Sequence, residues 1–141
     1  MLLTLSDFSA GQVYKSGPYV VSNDDVTGFF EVLGHSPETL SLFEHGTFKQ
    51  WLVSSLTMRL IASGEIQVSG GTVDLGVDNL EWRVPIQPDD TLVVESKVLE
   101  VHESRSNARF GIVTMLSTTI NQHGEIVQTC THSVRVAKRD T

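Results

Sequence analysis

Gly76-Val77-Asp78-Asn79-Leu80-Glu81-Trp82-Arg83-Val84-Pro85-Ile86-Gln87-Pro88-Asp89-Asp90-Thr91-Leu92 reads as a strand, a turn and the start of a second strand. The segment from Val73 to Ile86 contains strand material, and Pro85, which has no amide hydrogen, limits how its end can pair. Gln87-Pro88-Asp89-Asp90 is the turn, with Pro88 presetting φ. Alternation then resumes from Thr91 to Val101, with Leu92, Val94 and Val98 on one side and Glu95 and Lys97 on the other.

Downstream, the period of two persists. Phe110, Ile112, Leu116 and Ile120 share one face of a strand that Asn121-Gln122-His123-Gly124 turns back as a hairpin. Ile126, Cys130, Val134 and Val136 share a parity in the last strand. Long strands joined by such short connections form an antiparallel meander, because parallel neighbours need longer crossovers.

Upstream, the period is helical. Ser22-Asn23-Asp24-Asp25 sets a capping hydroxyl three residues before an acid, and Val26, Phe29, Phe30 and Leu33 follow at helical spacing up to Gly34. His35-Ser36-Pro37-Glu38-Thr39 reads as loop. A second helix is expected from about His45 to Ala62, with Phe48, Leu52, Leu56 and Leu60 recurring every four residues and Trp51 and Ile61 widening the stripe. Lys49 and Arg59 are its only charges after Glu44, so it is expected to be largely buried. The economical arrangement is a curved sheet wrapped around this central helix. Strands of roughly ten residues, about 33 Å at ~3.3 Å per residue, exceed what one helix covers, so a second copy is expected to complete the assembly.

The composition suits one domain over residues 1–141: 40% hydrophobic, 19% charged, without repeats or linkers. A net charge of −7 argues against binding duplex nucleic acid through a basic surface. No apolar run approaches the roughly 20 residues that span a bilayer. The first residues lack the basic start of a signal peptide, so the cytoplasm is the expected location. Cys130 is the only cysteine and reads as a small buried hydrophobe, and the five histidines show no metal-ligand spacing. No metal is expected. Phosphate-loop and dinucleotide fingerprints are absent.

The order of elements, together with Gly76-x-Asp78-x-Leu80-x-Trp82-x-x-Pro85-Ile86-x-Pro88-Asp89-Asp90-Thr91-Leu92, resembles the MaoC-like dehydratases. Their characteristic segment is G-x-D-x-L-x-W-x-x-P-V-x-P-G-D-T-L, and Asp89 here replaces the turn glycine. Ser104-Arg105-Ser106, Asn121 to Val127, and Leu56-Thr57-Met58-Arg59-Leu60 extend the likeness over approximately residues 19–138. The resemblance implies the α+β hot-dog fold, a long curved antiparallel sheet around a central helix, in a homodimer or larger homo-oligomer. It also implies water added to, or removed from, a 2-enoyl or 3-hydroxyacyl thioester. Coenzyme A or a carrier protein would be part of that substrate, with no separate cofactor.

In the family, an Asp and a His on a loop reading approximately D-x-x-P-x-H-x-D do the acid–base work, and an amide near the helix start holds the carbonyl. This chain reads Gly34-His35-Ser36-Pro37-Glu38-Thr39-Leu40-Ser41, in which the Asp position falls on Gly34 or His35 and the catalytic His has no equivalent. His35, His45 and Glu38 are the substitute acid–base candidates, with Glu44 beside them, and the Gly46 N–H is the candidate carbonyl donor. A helix-start position explains His45 better than catalysis does, and an exposed loop position explains His35 as well as catalysis does. Arg135, Lys138 and Arg139 read either as contacts for the phosphates of coenzyme A or as solvated charge. Two other readings stand beside hydration: an inactive acyl-CoA-binding or structural subunit of a dehydratase complex, and a thioesterase in which Glu38 or Glu44 activates water.

Overall fold

The computed structural model of the chain describes residues 2–34 and 47–139. A 3-10 helix, Leu5–Asp7, precedes β1 (Val13–Val20), α1 (Asn23–Val32), α2 (Thr47–Ala62), β2 (Val73–Trp82), β3 (Thr91–Glu103), β4 (Phe110–Ile120) and β5 (Ile126–Ala137). The strands form one five-stranded sheet, in the order β1-β3-β4-β5-β2 and antiparallel throughout. The meander expected from the short connections is β3-β4-β5.

The start of α1 follows from its cap. Ser22 Oγ accepts from the Asp25 N–H at 3.0 Å, and the Asp25 carboxylate accepts from the Ser22 N–H at 2.9 Å. Gly34, at φ 83, lies just past the helix end. At the β2–β3 turn, one Asp90 carboxylate oxygen accepts from the Gln87 N–H at 2.8 Å and the other from Gln122 Nε2 at 2.9 Å. The Asp-Thr-Leu of the sequence motif thus begins with a side chain that ties this turn to the β4–β5 hairpin.

The inner face of the sheet carries Leu92, Val94, Ser96 and Val98 on β3, Val113, Met115, Ser117 and Thr119 on β4, and Cys130, His132, Val134 and Val136 on β5, all buried. The even-numbered face of β4, with Phe110, Ile112, Leu116 and Ile120, is the half-buried outer one. Leu52, Val53, Leu56 and Leu60 of α2 pack with Val21, Val26, Phe30, Ile86, Leu92, Val94 and Val127.

Two expectations are corrected. First, α2 buries one side only: Trp51, Ser55, Met58 and Arg59 are exposed, because the described groups that reach that side, Trp82 beside Trp51 and the Tyr19 ring 4.9 Å from the Arg59 guanidinium, cover it only in part. Second, the length of sheet beyond α2 is not left bare. Phe8, Ile66 and Val68 form a second cluster with Val98, Val113, Met115, Val134 and Val136, and Leu3 and Leu5 pack against it. Leu3 bridges Val68 in parallel, so the N-terminal segment covers what the helix cannot reach. Within residues 73–86, read as containing strand material, β2 ends at Trp82, and the Arg83 N–H still donates to Val127 O at 2.9 Å. The strand β1, with Gly17-Pro18 at a break in its register, was not anticipated.

Candidate functional site

The first turn of α2 and the segment following β2 enclose a cleft of about 140 Å³. Lys49, Gln50 and Val53 line one wall, and Trp82, Arg83, Val84, Pro85 and Ile86 the other. Trp51 meets Trp82 edge-on, with ring centroids 5.0 Å apart. The predicted site residues His35, Glu38, His45 and Gly46, and Glu44 beside them, lie outside the described residues, as does the side chain of Phe48.

Beneath the cleft, a polar cluster replaces the apolar contacts a helix usually makes with a sheet. Trp82 Nε1 donates to Gln128 Oε1 at 3.0 Å, and Ser54 Oγ donates to the same oxygen at 2.5 Å. Gln128 Nε2 reaches Thr57 Oγ1 at 3.4 Å, and Thr57 meets Thr119 hydroxyl to hydroxyl at 2.6 Å. Gln128 is 1% exposed, so these bonds are its only route to satisfaction. The cluster positions Trp82, and hence one wall of the cleft, against α2.

A second polar row crosses the sheet under the far end of α2. Ser96 Oγ lies 2.8 Å from Ser117 Oγ, and Ser117 Oγ lies 2.7 Å from His132 Nε2. Asp74 Oδ1 is 3.9 Å from His132 Nδ1, too far for a hydrogen bond, and that nitrogen has no other partner among the described residues. Burial holds the His132 imidazole below its ordinary pKa, against a smaller upward pull from Asp74. The negative charge of Asp74 favours the proton on Nδ1, which leaves Nε2 to accept from the Ser117 hydroxyl.

His132 is buried, and with Asp74 it lines a cavity of about 250 Å³ beside Met58, Ile61, Met115 and Val134. The order Asp74, His132, Ser117 is that of a hydrolytic relay. Ser117 is fully buried and does not line the cavity, so its hydroxyl meets no carbonyl there. Burial, and to a lesser extent Asp74, likewise raises the Cys130 thiol pKa, which keeps it in the unreactive protonated form.

At the end of the sheet, Arg109, Arg135, Lys138 and Arg139 line a groove of about 630 Å³ with Gly70, Gly71 and Phe110. The Arg135 guanidinium lies 4.1 Å from the centre of the Phe110 ring, and Lys138 pairs with Glu103 at 2.9 Å. Among the described residues no group of three or more His, Cys, Asp or Glu could hold a metal ion, and no helix is long and apolar enough to cross a membrane.

Sequence reasoning passed over Lys49 and Gln128. Lys49 carried a legible signal: it stands three and four residues before Leu52 and Val53, hence on the buried side of α2. Gln128 carried none, since its side-chain partners come from α2 and β2, both distant in sequence.

A family model, described as the FAS1-like dehydratase domain region, matches residues 51–130. The chain is 40% identical over 68 residues to a mesaconyl-CoA hydratase of Cereibacter sphaeroides, a match covering 48% of this chain and 20% of that protein. Among solved structures, the MaoC-like dehydratase from Rhodospirillum rubrum is 31% identical, with 99% of each chain covered and a TM-score of 0.83. The R-hydratase PhaJ1 of Pseudomonas aeruginosa is 22% identical, with 98% of this chain and 88% of that one covered at a TM-score of 0.72, and shares the fold.

Proposed function

This chain belongs to the MaoC-like dehydratase family and has the hot-dog fold, and from that premise we propose that it adds water to, or removes it from, a 2-enoyl or 3-hydroxyacyl thioester. The observation that carries the reading is the end-to-end likeness to a MaoC-like dehydratase at 31% identity. Hydration needs a base to activate water at Cβ, a proton for Cα, and a donor for the enolate-like oxygen. His45 and His35, with Glu38, are proposed for the proton transfers, and the Gly46 N–H for the oxygen. His45 and Gly46 immediately precede Thr47 in sequence, where the described part of α2 begins, and Lys49 and Gln50 of the same turn line the cleft.

Coenzyme A or a carrier protein presents the acyl group in this reading, and no further cofactor takes part. The four cations of the groove at the end of β5 suit the phosphates of either arm. The location proposed is the cytoplasm. A second copy is proposed to pair along β2, a sheet edge on which Val73, Leu75 and Val77 are 44%, 51% and 53% exposed. One observation favours a non-catalytic role instead: the loop Gly34 to Ser41 lacks the family's Asp and His at their usual places.

The test follows enoyl absorbance and free thiol together, with crotonyl-CoA and longer enoyl-CoAs. Loss of absorbance without thiol is the expected result. Thiol release would assign the protein to thioester hydrolysis, and binding with neither change would assign it to the non-catalytic role. Full turnover in His45→Ala would remove that histidine from the mechanism.

A further inference from the structure

We infer that the cleft at the first turn of α2 binds a free carboxylate at the far end of a short acyl thioester, with Lys49 and Arg83 as the cations that hold it. The inference rests on the thioester reading above and narrows it to a substrate class.

Lys49 is 6% exposed, and its ammonium makes no ion pair or hydrogen bond with any described residue. Its side chain lines the cleft with its stem covered, so an anion in the cleft meets this cation beside apolar walls. The first turn of α2, which contains no acidic residue, is the positive end of the helix dipole, where an unpaired cation is disfavoured. A carboxylate bound in the cleft balances the charge and suits the helix end.

The opposite wall agrees. Arg83 lines the same cleft, and its described ion pair, with Glu81 at 3.5 Å, joins two side chains that are 54% and 63% exposed. Such an exposed pair holds its cation only weakly. Val53, Trp82, Pro85 and Ile86 complete the lining, and apolar walls strengthen the attraction between bound charges while accepting a short carbon chain. A phosphate of the carrier arm presents similar chemistry. However, the groove of Arg109, Arg135, Lys138 and Arg139 lies at the other end of β5 from Gln128 and Trp82 and already offers cations for it.

The test compares kcat/KM for crotonyl-CoA with that for fumaryl-CoA, which replaces the terminal methyl by a carboxylate. Wild-type protein is expected to prefer the carboxylated substrate. In Lys49→Met the ratio of the two values is expected to fall about 10–100-fold, the range for losing a charged hydrogen bond. Arg83→Gln, at an exposed position, is expected to lower the same ratio by about threefold, as a partly solvated contact would. An unchanged ratio, whether from equal losses or from none, overturns the inference, with equal losses assigning Lys49 to the carrier arm. If the wild type turns over neither substrate, the hydratase reading fails, and the inference is then decided by calorimetric titration with succinyl-CoA and butyryl-CoA. A preference for succinyl-CoA that Lys49→Met abolishes sustains it, and equal affinities overturn it.

Discussion

Asp89 stands at φ 74, a conformation that favours glycine, at the turn position that is glycine in the MaoC-like segment this chain resembles. No side-chain hydrogen bond of Asp89 offsets the strain among those described, whereas its N–H donates to Val21 O at 2.7 Å and is retained by any residue but proline. Asp89→Gly is therefore expected to stabilise the protein by about 0.5–1 kcal/mol, read as a higher urea midpoint with an unchanged slope. His132 predicts a pH dependence. Its folded pKa lies below the ordinary value of 6.5, so the unfolded chain takes up the proton first as pH falls. Stability is complete above that value and declines below it, until the folded imidazole also titrates. His132→Gln should flatten the fall in melting temperature between pH 7 and pH 5, even if it lowers the melting temperature at pH 7. Asp25 acts in a lower window. Burial pushes its carboxyl up, but hydrogen bonds from Ser22 and Tyr19, with the charge of Arg59, hold it below 3.8, so its contribution is lost only in stronger acid.

Among the elements, α1 and the meander were legible because their signals are local. A serine three residues before an acid caps a helix wherever it is placed, and alternation continues to Glu103 in β3. The strand β1 was not legible, because Lys15-Ser16-Gly17-Pro18 breaks the alternation and the strand exists through its pairing with β3. The apolar stripe of α2 was read correctly at Leu52, Leu56 and Leu60, each buried. What the stripe concealed was the polar seam beside it. Gln128→Leu would leave the Trp82 N–H and the Ser54 hydroxyl without their shared acceptor, although Trp82 retains a 3.2 Å contact to Ser54 Oγ. A loss of about 2–3 kcal/mol is expected, measured by urea unfolding, because a buried donor left unpaired costs about 1–3 kcal/mol.

For the whole molecule, two hydrophobic clusters share one sheet, one under α2 and one under the N-terminal segment with Ile66 and Val68. Strand length therefore does not by itself require a partner. The association proposed above has its motive at the edge, where β2 leaves Val73, Leu75 and Val77 exposed on a strand with one neighbour among the described residues. If that edge receives a second copy, light scattering should give twice the chain mass of 15.5 kDa. Leu75→Lys with Val77→Lys should return the single-chain mass while keeping a cooperative melt. A wild-type protein that scatters as one chain removes the edge as an interface.

Periodicity, caps and turn chemistry act over a few residues, which is why the strands from β2 to β5, both described helices and the family segment could be read without coordinates. The exposure of a side chain, and the company it keeps, depend on what packs across it from distant parts of the chain. Asp74, Ser117 and His132 came together because β2, β4 and β5 lie under one helix end. Lys49 became an anion-seeking group, rather than an ordinary surface charge, because the segment after β2 folds back across the first turn of α2.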